Sequence, residues 1–457
     1  AGRSEDGAGS AGIEVRIPPT MGYHRDITIE GFDVGIRMIP YHVTHNSFEH
    51  VTLRGQNEAG VRLVDSTTSI RDLHSVNSVP AVQQTGPGSH AVIVDSRLAG
   101  GSDGASAIDL QKGHLFARNV RTDGYEAAIE RERSVAVEAG RIREYVSGKV
   151  YSLRSGQRKR SLNLPVEETP QVPWGGPSDW ANVEDYGAKA SDGKDDTAAV
   201  QKAVNSGKPT VYFPGRLYTI DGTVEIPRSL RRLNFMFSHL VSTARGRDPM
   251  FRVAEDADRA VLLEDLAGWR GFLLEHARPR TVICRHIAGT GLFYRITDKA
   301  AGARLFVNNC NGFGKTGGRI ANEKVWCRFI NTEFPGRANF ICDGAQMWVF
   351  GYKCEKLHIN FEAHNGGRLE VLGGVANQFG GPEGSDAPIL LNNNSEVSYV
   401  GCTNGPSTDV GFTNIIEEVQ GGRRRMLTWD QFPKRPGRRH QVVVPLYVSH
   451  GSGAGGD

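Results

Sequence analysis

MWVFGYKC (347–354) is one of six similar apolar segments in the second half of the chain, the others being VLLEDLAG (261–268), VICRHIAG (282–289), LFVNNCNG (305–312), VWCRFINT (325–332) and LEVLGGVA (369–376). Successive segments begin 20 to 23 residues apart. Each alternates apolar and polar residues and ends near Gly or Asn, which is typical of a strand followed by a turn. One strand in about 22 residues is too sparse for a meander, but it fits one coil of a parallel solenoid.

The same spacing occurs in the first half of the chain. Segments beginning at Ile27, Phe48, Ile70, Val92 and Leu115 are separated by steps of 21, 22, 22 and 23 residues. Two independent runs of one period predict an all-β fold made of two tandem parallel solenoids.

Between the two runs, Asp195 and Asp196 precede the helix-like stretch TAAVQKAVNSG, which predicts a short helix that caps the second solenoid. An acidic cluster of Asp192, Asp195 and Asp196 could suggest calcium, but its position at a helix start favours capping. We therefore divide the chain into a first solenoid (1–140), a linker (141–180), a second solenoid (181–410) and a basic tail (411–457).

Composition limits the classes of partner. The chain has 54 Lys and Arg against 51 Asp and Glu, a net charge of +3, which is too balanced for an electrostatic nucleic-acid binder. No apolar run approaches the roughly 18 to 20 residues of a spanning helix. The six cysteines show no CxxC spacing, so we expect small buried side chains and neither a zinc site nor a disulfide framework. We expect no metal, no cofactor, no nucleic-acid or membrane partner, and a monomer.

One stretch carries a resemblance to a known family. VEDYGAK (183–189), SDGKDDTAAVQKA (191–203) and VYFPG (211–215) resemble the opening motif of the pectate-lyase-like right-handed β-helix superfamily. This resemblance implies that both solenoids are right-handed β-helices. Two such helices in one chain narrow the resemblance to glycoside hydrolase family 55, as do GFDVGI (31–36), SFEHVTLRGQNEAGVRL (47–63) and SVNSVPAV (75–82).

The family resemblance implies an activity and a location. It implies exo-acting, inverting hydrolysis of a β-1,3-glucan by a secreted or periplasmic enzyme. A first helix of this family should have its own opening motif, and none precedes Ile27. We therefore expect that leading coils are missing from this chain and that its activity is affected.

Two glutamates have the spacing of one coil. Glu333 and Glu355 are 22 residues apart, and each lies eight residues after the start of its segment. They should therefore stack on neighbouring strands, about 4.8 Å apart. Close like charges raise the pKa of one carboxyl group, which suits a general acid. Asn311 and Asn377, each 22 residues from the pair, would extend the same polar column.

The alternative for this column is structural, since solenoids commonly stack solvated polar residues on successive coils. The family resemblance implies that Glu355 is the general acid and Glu333 its tuning partner or a contact to the sugar. A separation near 5 Å suits a retaining pair, whereas inverting enzymes need about 6.5 to 9.5 Å. The two glutamates are thus not expected to be acid and base of an inverting enzyme.

The attacking water is then expected to be held by the first solenoid. There Gln56 and Asn77 are 21 residues apart, with Ser75 nearby, and the three resemble the amide and hydroxyl residues that position water in the family. The alternative is that they are ordinary turn amides that satisfy backbone groups.

Aromatic residues and a histidine accompany Glu355 on its coil. Tyr352 and His358 lie close to it in sequence and are candidates for substrate binding. Trp326 and Trp348 share one strand phase, which favours an internal aromatic stack over a sugar platform.

Two other functions stay open at this stage. A polysaccharide lyase acting on a uronate polymer would need a Lys or Arg base among stacked acidic ligands, and no such group is evident from the sequence. A non-catalytic β-helical module that binds carbohydrate or has a structural role is the other alternative.

Overall fold

The computed structural model describes residues 9–16, 22–39, 45–102, 104–244, 248–289, 292–311, 318–332, 338–377, 386–404, 411–435 and 441–451. The strands form a parallel β-solenoid of about 16 turns, which confirms the predicted all-β fold class.

The strands up to residue 146, here called the first strand set, are β1 (Ala11–Val15), β2 (Gly22–Glu30), β3 (Val34–Met38), β4 (His45–Arg54), β5 (Ala59–Leu63), β6 (Thr67–Asn77), β7 (Val82–Gln84), β8 (His90–Val94), β9 (Arg97–Gly100), β10 (Ser106–Leu110), β11 (His114–Asp123), β12 (Ala127–Arg131), β13 (Ser134–Glu138) and β14 (Arg141–Val146).

The strands from residue 150 onward, the second strand set, are β15 (Val150–Tyr151), β16 (Trp180–Asn182), β17 (Thr210–Tyr212), β18 (Leu217–Thr219), β19 (Val224–Ile226), β20 (Arg232–Val241), β21 (Pro249–Val253), β22 (Ala257–Arg270), β23 (Phe272–His276), β24 (Arg280–Ile287), β25 (Leu292–Ile296), β26 (Arg304–Asn311), β27 (Gly318–Ala321), β28 (Lys324–Thr332), β29 (Phe340–Asp343), β30 (Gln346–Glu355), β31 (Phe361–His364), β32 (Arg368–Asn377), β33 (Leu390–Asn393), β34 (Glu396–Asn404), β35 (Asn414–Gln420), β36 (Arg423–Thr428) and β37 (Val443–Ser449).

Each strand set forms two sheets. In the first set, sheet A has the order β1-β3-β5-β7-β10-β12-β13, and sheet B has the order β14-β11-β8-β6-β4-β2 with β9 beside β6 and β11. In the second set, sheet C has the order β15-β37-β34-β32-β30-β28-β26-β24-β22-β20-β17-β16 with β18 beside β20, and sheet D has the order β19-β21-β23-β25-β27-β29-β31-β33-β35-β36. From β1 to β8 and from β19 to β35, successive strands therefore alternate between the two sheets of their set, because each coil contributes one strand to each sheet.

The register of sheet C agrees with the predicted repeat. Leu305, Val325, Met347 and Leu369, each the first residue of a predicted segment, are direct partners on successive strands. In sheet B the period is right, but of the predicted segment starts only Phe48 and Ile70 are direct partners. Val92 lies opposite Phe116 rather than Leu115. Both faces of this sheet are buried, so apolar residues on both faces remove the alternation that would fix the phase.

A single α-helix, α1 (Thr197–Val204), is described, and it packs against β16 and β19, the first strands of sheets C and D. Val200, Ala203 and Val204 enter the core, so the helix covers the open end of the coil as predicted. None of the helices in the described ranges has the length and apolar character needed to cross a membrane.

The far ends of both strand sets close with antiparallel strands. In the first set, β13 pairs with β12 and β14 with β11; in the second, β36 pairs with β35 and β37 with β34. Such strands cover exposed sheet edges. Because β14 and β35 to β37 belong to the sheets, the predicted linker boundary at 141 and the predicted tail at 411–457 both fall inside folded structure.

The interior of each coil is apolar. The first strand set encloses one buried cluster and the second another, and these clusters share no residue. All six cysteines are buried and free, as expected for small apolar side chains: Cys284, Cys310, Cys327, Cys342, Cys354 and Cys402.

A third buried cluster joins the two strand sets. It contains Phe116 of sheet B, Trp348 and Leu372 of sheet C, and Leu164 from the connecting segment. The outer face of sheet C is thus covered by sheet B. At this contact, a Cβ atom on Gly351 would lie 1.9 Å from Ser47 Oγ, so only glycine allows the approach.

An ion-pair network accompanies this apolar contact. Glu49 of β4 is fully buried and receives Arg71 Nη1 at 2.7 Å and Arg328 Nε at 3.0 Å. Tyr23 also donates to Glu49. Since Arg328 belongs to β28, the network links both strand sets. Removing one partner of such a group would leave a buried charge uncompensated.

Three histidines follow one row of sheet B, and of these His45 and His90 are buried and His114 is half-buried. His45 and His90 both lie opposite Thr67, and His90 lies opposite His114. Burial lowers the pKa of His45 to about 3, lowers that of His114 to about 4, and holds that of His90 well below its usual range. All three are therefore neutral in the folded chain near pH 7.

We predict that acid destabilises the fold through these residues. Below about pH 6.5 the unfolded chain binds protons that buried His45 does not, so the free energy of unfolding falls as pH falls toward its folded pKa. His45→Leu should reduce the slope of stability against pH by up to about 1.4 kcal/mol per pH unit between pH 6.5 and 4.5. Urea unfolding at several pH values measures this, and an unchanged slope would contradict it.

For His50 the expected dependence of stability on pH has the opposite sign. Hydrogen bonds that His50 donates to Glu168 and Asp72 raise its pKa to about 9 despite its partial burial. Its stabilising contribution is therefore complete below pH 6.5 and is lost as pH rises through 9. His50→Leu should flatten the fall in stability between pH 6.5 and 9, as measured by urea unfolding at several pH values.

Candidate functional site

The bends of sheet C determine which side chains face outward. Strand β30 bends at Gly351, which has φ = 77°, and the neighbouring strands bend at Phe329 and Gly373. After the bend, Tyr352 and Cys354 enter the core, so the alternating Lys353 and Glu355 face outward.

These residues belong to a polar strip that we call the outward row. It consists of Asn311, Asn331, Lys353, Glu355, Asn377 and Asn404. Glu355 lies opposite Asn377, which lies opposite Asn404. Asn311 lies opposite Asn331, which lies opposite Lys353. The strip therefore has two adjacent polar columns at the ends of β26, β28, β30, β32 and β34.

Glu355 is the more accessible charged group of the outward row. Its side chain is 28 % exposed, while that of Lys353 is 5 % exposed, and the Lys353 ammonium donates to Glu355 Oε1. Asn331 Nδ2 donates to Asn311 Oδ1 at 3.0 Å. Asn377 is 4 % exposed, and its Oδ1 atom has no hydrogen-bond partner among the described residues. The row thus combines a carboxylate, an ammonium and several amides, all groups that hydrogen-bond sugar hydroxyls.

The predicted column of four residues is only partly correct. Asn377 lies beside Glu355 as predicted. Asn311 does not belong to that column, because the step to β28 is 20 residues and brings Asn311 opposite Asn331, two positions away. Glu333 lies outside the described residues, so its predicted stacking on Glu355 stays a prediction.

Tyr352 and His358 do not face the outward row. Tyr352 is fully buried inside the coil, where its hydroxyl lies 2.5 Å from that of Tyr399. The bend at Gly351 reverses the alternation and turns this ring inward. His358 is also buried, and its Nε2 atom lies 2.5 Å from Asn339 Nδ2. Burial lowers the pKa of His358 to about 4, so it is neutral and structural.

The three residues predicted to hold water have structural roles. Gln56, Ser75 and Asn77 are buried, and their side chains bond to backbone groups or to one another. Gln56 Nε2 donates to the carbonyl of Gly31 at 2.7 Å, and Gln56 N donates to Asn77 Oδ1 at 2.7 Å. Asn77 Nδ2 donates to Ser75 Oγ at 2.8 Å. Gln56 and Asn77 do contact each other across neighbouring coils, but they act as turn amides that bond to backbone groups.

Trp326 and Trp348 are buried, though not inside the coil. They lie on the outer face of sheet C, in the cluster between the two strand sets. Trp326 stacks on Phe306 with ring centroids 4.8 Å apart, and its Nε1 donates to the carbonyl of Pro165 at 3.0 Å. The two rings are therefore interface residues and not sugar platforms.

The acidic residues at the start of α1 bond to backbone. Asp195 Oδ1 accepts from Thr197 N at 3.0 Å, and Asp196 Oδ1 accepts from Lys189 N at 2.8 Å. Asp192 Oδ1 accepts from Lys194 N at 2.9 Å. Across the described part of the chain, no group of three or more His, Cys, Asp or Glu side chains could hold a metal ion.

Sequence reasoning missed Lys353 and a cleft on sheet A. The cleft has a volume of about 770 Å³ and is lined by Asp109, Glu130, Glu132 and Arg133 among others. Asp109 lies opposite Glu130 on neighbouring strands, and it accepts from Gln111 Nε2 at 2.7 Å. The 21-residue step between the two carboxylates was the signal that could have identified them. For Lys353, the signal was its position two residues before Glu355.

The comparisons with known proteins concern the start of the second strand set. Residues 180–231 match the model of the family described as Rhamnogalacturonase A/epimerase, pectate lyase-like. No curated protein matches the chain. The family match and the parallel solenoid together support the right-handed β-helix superfamily, and they suggest a carbohydrate-active protein.

Proposed function

We propose that this protein is a glycoside hydrolase that cleaves a β-glucan, with β-1,3-glucan as the expected substrate. The supporting observation is the outward row, in which a partly exposed Glu355 lies beside Lys353 and opposite Asn377. A positioned carboxylic acid can protonate the departing glycosidic oxygen, while amides bind the sugar hydroxyls around it. In this proposal Glu355 is the general acid.

The hydrogen bond from the Lys353 ammonium to Glu355 has to change before Glu355 can act as a general acid. The Lys353 ammonium donates to Glu355 Oε1, whereas a general acid has to donate a proton to the glycosidic oxygen. We therefore propose that a sugar hydroxyl replaces Glu355 as the partner of Lys353 when substrate binds. Glu333, by analogy with family 55, would tune Glu355 or contact the sugar.

The remaining parts of the proposal follow the family 55 resemblance. The two strand sets would be two tandem β-helices, and the enzyme would be exo-acting, inverting, monomeric, and secreted or periplasmic. Because Gln56, Ser75 and Asn77 are buried and bonded, they are not included as water-holding residues, and the general base is left unassigned.

Reducing-sugar release from a panel of polymers tests the activity. The panel contains a β-1,3-glucan, a β-1,4-glucan and a uronate polymer. We expect the unmutated chain to release reducing sugar from the β-1,3-glucan and not from the other two. A folded chain that leaves all three polymers intact would contradict the hydrolase proposal, and the third function, a non-catalytic carbohydrate-binding module, would then be favoured.

A polysaccharide lyase is the second candidate, and Lys353 is the observation that favours it. A lyase needs a base to remove a proton next to a uronic carboxylate, and Lys353 is a nearly buried amine on the outward row. In that case the uronate polymer would yield unsaturated products that absorb ultraviolet light. Lys353→Met should abolish this absorbance, whereas a hydrolase produces none.

A further inference from the structure

Three aromatic rings lie together at the edge of sheet C that β16 forms, remote from the outward row. They belong to Trp174, Trp180 and Tyr212, which we call the aromatic platform. The rings of Trp174 and Trp180 have centroids 5.3 Å apart, and those of Trp180 and Tyr212 are 6.1 Å apart. Trp174 is 46 % exposed, an unusual value for the largest apolar side chain.

Neighbouring groups fix the position of the rings in the platform. The guanidinium of Arg232 lies 3.6 Å from the centroid of the Trp174 ring, and Arg232 is itself buried and paired with Glu264. Trp180 Nε1 donates to the carbonyl of Trp174 at 3.1 Å. One face of the Trp174 ring is therefore occupied by a fixed cation, and the exposed part of the ring is presented in one orientation.

Apolar and polar groups extend this surface along the sheet. Tyr212 lies opposite Asn182 on one side and Asn234 on the other. Just beyond Asn234, Met236 and Phe237 are 48 % and 64 % exposed and both have positive φ, a conformation that bulky residues rarely adopt. Exposed apolar surface with a partly exposed amide, that of Asn182, at its border is typical of a binding site rather than of ordinary surface.

We propose that the aromatic platform binds a polysaccharide chain by stacking the C–H faces of its pyranose rings on Trp174 and its neighbours. The polar rim provided by Asn182 and Lys208 matches a ligand that has an apolar ring face and hydroxyl groups at its edge. Lys208 lies at this rim because its ammonium donates to the carbonyl of Trp180. This inference rests on the proposed function for the class of its ligand.

The platform is a second site and not a subsite of the outward row. Seven strand steps along sheet C separate β16 from β30, which corresponds to roughly 34 Å at the usual strand spacing. A polymer held there would raise the effective concentration of chain near Glu355. The platform should therefore matter for insoluble polymer and not for short soluble oligosaccharides.

Binding to insoluble particles tests the platform directly. Depletion isotherms are measured with particles of β-1,3-glucan, β-1,4-glucan and a uronate polymer. We expect the unmutated chain to bind at least one of them, and Trp174→Ala to weaken that binding at least tenfold. Trp174→Phe, which keeps a flat ring, should retain most of the affinity. Met426→Ala, which removes an equally exposed apolar side chain from β36, should change nothing.

Several outcomes would overturn the inference. These are an unmutated chain that binds none of the polymers, a Trp174→Ala variant that binds normally, and a Trp174-dependent self-association without binding to any polymer. If Trp174→Ala does not fold, Tyr212→Leu replaces it with the same expectation. Turnover of a soluble oligosaccharide, measured separately, should stay unchanged in Trp174→Ala. Trp174-dependent binding without any turnover would refute the hydrolase and leave the platform intact.

Discussion

Glu355→Gln is expected to abolish most hydrolysis of the β-glucan, with a loss in kcat of about 10²- to 10⁴-fold, the usual contribution of a general acid. Glutamine keeps the shape of the side chain and can still hydrogen-bond Lys353, but it has no proton to give to the departing oxygen. Since the side chain is partly exposed at the end of β30, the fold should be unaffected. Reducing-sugar release under substrate saturation, together with thermal unfolding, measures both effects.

A matched substitution distinguishes the outward row from the cleft on sheet A. Asp109→Asn removes a carboxylate that lies opposite Glu130 on a neighbouring strand. We expect this variant to retain activity within about twofold. The opposite pattern, with activity lost in Asp109→Asn and kept in Glu355→Gln, would move the catalytic assignment to Asp109 and Glu130.

Glu370→Ala is expected to cost about 3–5 kcal/mol of the free energy of unfolding, because it leaves Arg118 as an uncompensated buried charge. Glu370 is fully buried and accepts Arg118 Nη1 at 2.8 Å and Arg118 Nη2 at 3.1 Å. It also accepts Asn163 N at 2.9 Å, Leu164 N at 3.2 Å and Ser398 Oγ at 3.0 Å. One carboxylate thus joins sheet B, the connecting segment and sheet C.

Urea unfolding followed by tryptophan fluorescence measures this loss. Two comparisons test its cause. Glu30→Ala removes the carboxylate of the exposed Arg54–Glu30 pair and should cost less than about 1 kcal/mol. Adding Arg118→Met to Glu370→Ala should recover much of the lost stability, since the unpaired charge is gone. A double variant no more stable than Glu370→Ala would mean that the hydrogen bonds from Asn163, Leu164 and Ser398 to Glu370, and not the charge, carry the effect.

The fold could be predicted from the sequence because a solenoid repeats its local pattern. Segment starts such as Val325 and Met347 are true partners in sheet C. Most of the predicted segments of sheet B were out of phase because its second face is also buried, and burial on both faces removes the alternation. The contact between sheets B and C joins residues far apart in sequence, such as Ser47 and Gly351, and no periodicity encodes it.

The candidate site was predicted less well, for a geometric reason. Strict alternation from Met347 would turn Tyr352 outward and Glu355 inward. The bend at Gly351 shifts the alternation by one position, so the tyrosine enters the core and the glutamate faces outward. Gln56 and Asn77 were misjudged because turn amides and water-binding amides have the same sequence signature. Lys353 was missed because its importance depends on the same shift.

The most direct test of the account is a crystal structure of Glu355→Gln soaked with an oligosaccharide of the polymer that the unmutated chain cleaves. The account predicts a sugar ring on the outward row, within hydrogen-bond distance of residue 355 and Asn377. Sugar found instead in the cleft beside Asp109 and Glu130, with the outward row empty, would contradict it.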